Sequence, residues 1–122
     1  MLVRLAETGN RGGRALIYAV DFDGTLCESK WPDIGEPNWE LIEWIITKRK
    51  KEGAKFILWT MREGQVLEEA LGWCLSKGLW FDAVNDNLRE QQEMYHNNPR
   101  KVYADVYIDD HNVGGLRMED IV

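Results

Sequence analysis

Three apolar runs in this sequence end in residues that could do chemistry together. Asp21-Phe22-Asp23 closes the first, Thr60 closes the second, and Asp109-Asp110 closes the third. Two acids two positions apart in extended chain point the same way, so Asp21 and Asp23 form a pair. Carboxylates gathered in one place repel one another unless a cation sits among them. Oxygen donors of this kind suit a hard divalent ion, most simply magnesium. A phosphate ester approached by such a group must first have its oxygens neutralised. A carboxylate can then attack phosphorus to give an aspartyl-phosphate, and a second carboxylate can move the protons. Asp21 is the candidate nucleophile and Asp23 the candidate general acid and base.

The elements that must position these residues alternate. Residues 16–21 read as a strand buried on both faces. Residues 24–37 are polar and turn-rich and read as a short flap. Asn38 suits the N-cap of a helix running to Glu52, with Gly53 placed to end it. Residues 55–60 form a second buried strand, and 63–77 a second helix stopped by Gly78. Residues 81–84 make a weaker third strand and 102–109 a fourth; the polar stretch 86–99 is ambiguous between helix and loop by pattern alone. Strands alternating with helices imply a mostly parallel sheet, and ligands of such sheets bind beyond the strands' carboxyl ends. Both acid pairs and the Thr60 hydroxyl fall there.

Composition bounds the rest. The 122 residues are 44% hydrophobic and include six Trp, enough for one core, so a single domain over 15–122 with a loosely held lead-in over 1–14 is expected. A net charge of −6 argues against a broad grip on nucleic acid. Cys27 and Cys74 have no metal-ligand spacing and read as reduced thiols, which points to a cytoplasmic protein. The longest apolar run, residues 15–20, is far too short to span a membrane. Lys48 to Lys51 complement the negative end of their helix. Trp31 and Trp80 are the tryptophans expected at the surface, where a shared apolar patch could support a homodimer.

Asp21-Phe22-Asp23-Gly24-Thr25-Leu26 resembles the first motif of the haloacid dehalogenase superfamily of phosphatases, Asp-x-Asp-Gly-Thr after a buried strand. Ile57-Leu58-Trp59-Thr60 is similar to the second motif, an apolar strand closed by Ser or Thr. Lys101 resembles the third-motif lysine, with Arg100 beside it as its rival. Tyr107-Ile108-Asp109-Asp110 resembles the fourth motif. The likeness covers residues 21–110 and is nearest to short, capless bacterial and phage members. It implies a three-layer αβα, Rossmann-like fold with a parallel sheet. It also implies a magnesium-dependent phosphomonoesterase acting through Asp21 and Asp23. Thr60 and Lys101 would bind the phosphate, with Gly24, Thr25, Met61 and Arg62 lining the substrate. Asp21, the backbone carbonyl of Asp23, and Asp109 would hold the metal, with Asp110 beside them. Members that dehalogenate lack an acid at the position of Asp23, so its presence favours transfer to water.

Plainer readings stand beside these. Thr60 could serve as a helix N-cap, and Arg62 could be a solvated arginine at a helix start. Asp105 could compete with Asp109 for a metal, although it lies before the strand's end. His96 and His111 have no partner spacing and read as structural. The chain has no room for a large cap, so the site should be open, and the short tail after Asp110 leaves a sheet edge that dimerisation could cover. The substrate expected is a small phosphorylated molecule. The alternatives are a phosphatase of nucleic-acid ends or phosphoproteins, and a non-catalytic metal- and phosphate-binding module.

Overall fold

The run Ile-Tyr-Ala-Val is apolar on both of its alternating faces, and it forms β1 (Ile17–Val20), buried at every position. A computed structural model describes residues 15–95, 98 and 102–109. In it β1 is central. It pairs in parallel with β4 (Lys55–Leu58) on one side and β6 (Val106–Ile108) on the other. The two-residue β5 (Ala83–Val84) extends the sheet beyond β4, giving the order β5-β4-β1-β6. This is a parallel α/β sheet of the Rossmann-like kind.

Between the first two strands of that sheet the chain makes an antiparallel hairpin, β2 (Cys27–Lys30) and β3 (Asp33–Pro37). The expected flap is therefore ordered as strands. Its composition hid this, because a two-stranded hairpin exposed along most of its length needs no apolar alternation. Helix α1 (Trp39–Glu52) begins and ends as its caps predict. The Asn38 side chain accepts a hydrogen bond from the Leu41 amide at 3.2 Å, and Gly53 closes the helix with φ of +65°. The same Asn38 side chain donates to the Thr25 carbonyl at 3.1 Å, which ties the start of α1 to the turn after β1. Helix α2 (Gly64–Ser76) follows β4, and the ambiguous stretch after β5 contains a short helix, α3 (Arg89–Tyr95).

The sheet alternates strictly. Tyr18, Val20, Phe56, Leu58, Val106 and Ile108 pack with Leu41, Ile42, Ile45, Ala70 and Cys74 in one cluster. Both long helices thus cover the same face. Ile17, Ala19 and Ile57 face the other way, against Leu88, Val102 and Ala104. Tyr18 stacks on Phe56 with ring centroids 5.1 Å apart and meets the edge of Trp44 at 5.3 Å. Arg49 does more than complement its helix end. Its guanidinium donates to the Trp80 carbonyl at 2.7 Å and to Asp82 at 2.8 Å, and lies 3.7 Å from the Trp80 ring. Asp82 also accepts from the Phe56 amide, so this cluster locks the approach to β5 onto α1 and β4. Trp31 and Trp80 are both exposed, as expected. Among the described residues, no helix is long and apolar enough to cross a membrane.

Candidate active site

The site grows from the register of three strand ends. Val20 lies beside Ile108 on one side and Leu58 on the other, so Asp21 is flanked by Asp109 and Trp59 as the chains leave the sheet. The Asp21 amide donates to the Ile108 carbonyl at 3.0 Å and the Trp59 amide to the Val20 carbonyl at 2.8 Å, which carries the register past the last paired residues. Side chains alternate along a strand. Asp21 and Asp109 therefore follow Ile17, Ala19 and Tyr107 onto the face opposite the long helices. Both are partly exposed. One Asp21 oxygen accepts the Phe22 amide at 2.8 Å.

Thr60 sits one residue beyond Trp59. Its amide donates to Asn85 at 2.7 Å, and its hydroxyl oxygen accepts the Arg62 amide at 3.1 Å. The hydroxyl is held in place as an acceptor while its own proton can still be donated. Asn85 owes this position to a left-handed backbone, φ +53°, that asparagine tolerates well. Sequence reasoning missed Asn85; its place directly after a strand, in a turn, is the signal that could have found it. Gly24, at φ +83°, gives the turn after β1, with its amide bound to the Cys27 carbonyl at 2.9 Å.

Asp23 and Arg62 form the densest part of the site. Arg62 donates from Nε to one Asp23 oxygen at 2.9 Å and from Nη2 to the other at 2.8 Å. Its Nη1 reaches the carbonyls of Pro32 and Val66, both at 3.2 Å, and Nη2 also reaches the Asp33 carbonyl at 3.0 Å. All five guanidinium donors are directed at the protein, and the side chain is fully buried. The Phe22 ring lies 5.1 Å from the guanidinium carbon and the Trp31 ring 5.0 Å. The paired carboxylate raises the Arg62 pKa further above its ordinary value, with burial opposing. Arg62 is accordingly neither a solvated helix-start arginine nor a group with a donor to offer a substrate. It joins Asp23 to the β2–β3 hairpin and to the first turn of α2. No local pattern announces this, because its partners are mostly backbone carbonyls brought in from residues 32, 33 and 66.

Other expected residues fall differently. Thr25 is buried, its amide bound to the Phe22 carbonyl and its hydroxyl without a partner among the described residues, so it lies under the site and does not face a substrate. Met61 is almost fully exposed beside Thr60 and Arg62. Asp105 is buried at the start of β6, where it accepts the Ile17 amide and the Tyr103 hydroxyl, each at 2.7 Å. It pins the opposite end of the sheet and does not compete with Asp109. Lys101, its rival Arg100, Asp110, His96 and His111 lie outside the described residues, as does the lead-in over 1–14.

Among the described residues, no three acidic, histidine or cysteine side chains converge as a ready-made metal cage. Asp23 explains part of this, since its carboxylate is oriented toward Arg62 and its backbone carbonyl is what it presents to a metal. Asp21 and Asp109 on one face form a two-carboxylate donor set. Magnesium is commonly held by one or two carboxylates, with water and substrate phosphate completing its shell, so this set fits it.

No family model and no curated protein matches the chain. A solved structure, that of a conserved protein coded by a locus from Bacteroides thetaiotaomicron, is 41% identical. The match has a TM-score of 0.75 and covers 85% of this chain and 83% of that one. The chain belongs to the same family as that protein. At that TM-score and coverage the two chains share their overall fold.

Proposed function

We propose that the chain is a magnesium-dependent phosphomonoesterase of haloacid dehalogenase type, with Asp21 as nucleophile. The observation that carries this is the placement of Asp21 and Asp109 at neighbouring strand ends, on one face, with Thr60 just past the end of the adjacent strand β4 and its hydroxyl proton given to no acceptor among the described residues. Magnesium, held by Asp21, Asp109 and the Asp23 carbonyl with Asp110 beside them, would neutralise the phosphoryl oxygens. The Thr60 hydroxyl donates to a phosphoryl oxygen, and Lys101 adds a positive charge. Asp21 attacks phosphorus in line while the leaving oxygen departs and takes a proton from Asp23. Water then attacks the aspartyl-phosphate, gives its proton to Asp23, and releases phosphate with the electron pair returning to Asp21. Among the described residues, α2, β5 and α3 are the elements between Thr60 and β6 and none of them forms a cap, so the substrate reaches the site from open solvent. A small phosphorylated molecule fits an acidic chain better than a nucleic-acid end does.

Hydrolysis of p-nitrophenyl phosphate with magnesium, for the wild type and Asp21→Asn, tests the proposal. The wild type should turn over, and both Asp21→Asn and an EDTA-treated sample should be inert. Activity that survives in Asp21→Asn would remove the covalent step, and activity indifferent to EDTA would remove the metal.

A further inference from the structure

We propose that Arg62 is a positioning residue that holds the Asp23 carboxylate and the β2–β3 hairpin as one unit, so that the hairpin sets where the proton-transfer group of the site stands. This rests on the phosphohydrolase reading and extends it to a residue and an element outside the reacting atoms.

The geometry asks for such a role. A cation without contact to water is costly, and replacing a buried ion pair by apolar residues is often neutral or stabilising. Stability by itself therefore gives little reason to place a guanidinium here. The placement does something else. Nε and Nη2 form a fixed fork that grips both oxygens of Asp23, which sets the plane of the carboxylate. The remaining donors hold the carbonyls of Pro32 and Asp33 at the hairpin turn and of Val66 in α2. Phe22, next to the nucleophile, packs on one ring contact of the guanidinium and Trp31, in the hairpin turn, on another. A movement of the hairpin must move Arg62, and a movement of Arg62 must move Asp23.

In the held form both Asp23 oxygens accept hydrogen bonds from Arg62. That form suits the second half of the cycle. Water attacks phosphorus, its proton passes to Asp23, the bond from phosphorus to Asp21 breaks, and inorganic phosphate leaves. The first half is separable from it when the leaving group needs no proton, as with p-nitrophenolate.

Rapid-mixing kinetics on p-nitrophenyl phosphate with magnesium read the two halves apart. Arg62→Lys keeps the charge but not the fork. It should release about one p-nitrophenolate per chain in a burst, then turn over about a hundredfold more slowly than the wild type, because a misplaced general base forfeits its contribution. Asp23→Asn should give the same burst. Gly35→Ala provides a variant distant from the reacting atoms. An added Cβ there would stand 2.4 Å from the Glu28 carbonyl oxygen, so the hairpin must shift, and a smaller burst of the same kind is expected. Slow turnover without a burst in Arg62→Lys, or a wild-type rate in it, would overturn the positioning role while leaving the phosphohydrolase standing. A Gly35→Ala chain with wild-type kinetics would overturn the coupling through the hairpin. A wild type inert toward the ester would overturn the phosphohydrolase reading, and the role given to Arg62 with it.

Discussion

Replacing Asp23 by Asn leaves the Arg62 guanidinium without a counter-charge in a place that water does not reach. Two charge-assisted hydrogen bonds, at 2.8 and 2.9 Å, are affected. Each such bond contributes about 1.5–3 kcal/mol. Asparagine retains one acceptor but turns an N–H toward the other guanidinium donor, while the carbonyls of Pro32, Asp33 and Val66 remain. Removing one partner of a fully buried pair costs about 3–5 kcal/mol. The Arg62 side chain is 0% exposed and that of Asp23 21%, so some relaxation toward solvent is open on the carboxylate side. A loss of about 2–4 kcal/mol follows. Arg62→Met keeps apolar contact with Phe22 and Trp31 and frees a carboxylate that can rehydrate. A double-mutant cycle of Asp23→Asn and Arg62→Met isolates the pair. Urea unfolding followed by tryptophan fluorescence should give a coupling of about 1.5–3 kcal/mol, and the same unfolding slopes would show that compactness is unchanged. A coupling below about 0.5 kcal/mol, the range of solvent-exposed pairs, would refute the claim that the Arg62 end of this pair is shielded from water.

Three further outcomes follow from the same contacts. The Tyr18 hydroxyl is buried with no partner among the described residues, so Tyr18→Phe should stabilise the fold by about 1 kcal/mol in the same urea assay; a loss of that size would mean the hydroxyl is satisfied. Burial, with the negative charges of Glu52 and Asp105, pushes the Tyr18 pKa from 10.0 up to about 12. The neutral phenol's contribution is therefore complete below pH 10 and lost as pH rises toward 12, a span of about 2–3 kcal/mol that Tyr18→Phe should abolish in unfolding curves taken across that range. Burial also pushes the Cys74 thiol up to about 12 and raises that of Cys27, which the nearby Asp23 charge raises further. Native protein at pH 8 should therefore take up iodoacetamide far more slowly than protein in urea; equal rates would show that the thiols are open to solvent.

Local chemistry carried the parts of the site that are local. Asp21 and Asp109 were readable because each closes an apolar run, and a run buried on both faces must stop where polar residues begin. Helix α1 was readable because Asn38 and Gly53 act on backbone groups only a few residues away. Strand β5 is shorter than its apolar run, since Phe81 packs against the core without joining the ladder. The hairpin has the sequence of a loop, since its strands are held mainly to each other and need few apolar positions.

The roles of Arg62 and Thr25 depended on distance in the chain. Arg62 is polar and adjacent to a strand end, which describes a surface residue as well as a buried one. Its burial required four carbonyl or carboxylate groups from three other segments to arrive together, and each is unremarkable alone. Thr25 sits in a motif whose neighbours face the site, yet the tight turn at Gly24 directs it under the sheet edge. The sequence alone determined that the acids end strands and that the sheet is mostly parallel, because hydrophobic runs and helix caps are short-range properties; that β1 lies between β4 and β6 came from the tertiary structure. Only the tertiary structure decided that Arg62 and Asp23 are held against each other, because satisfying a buried ion is settled by the partners that packing brings to it.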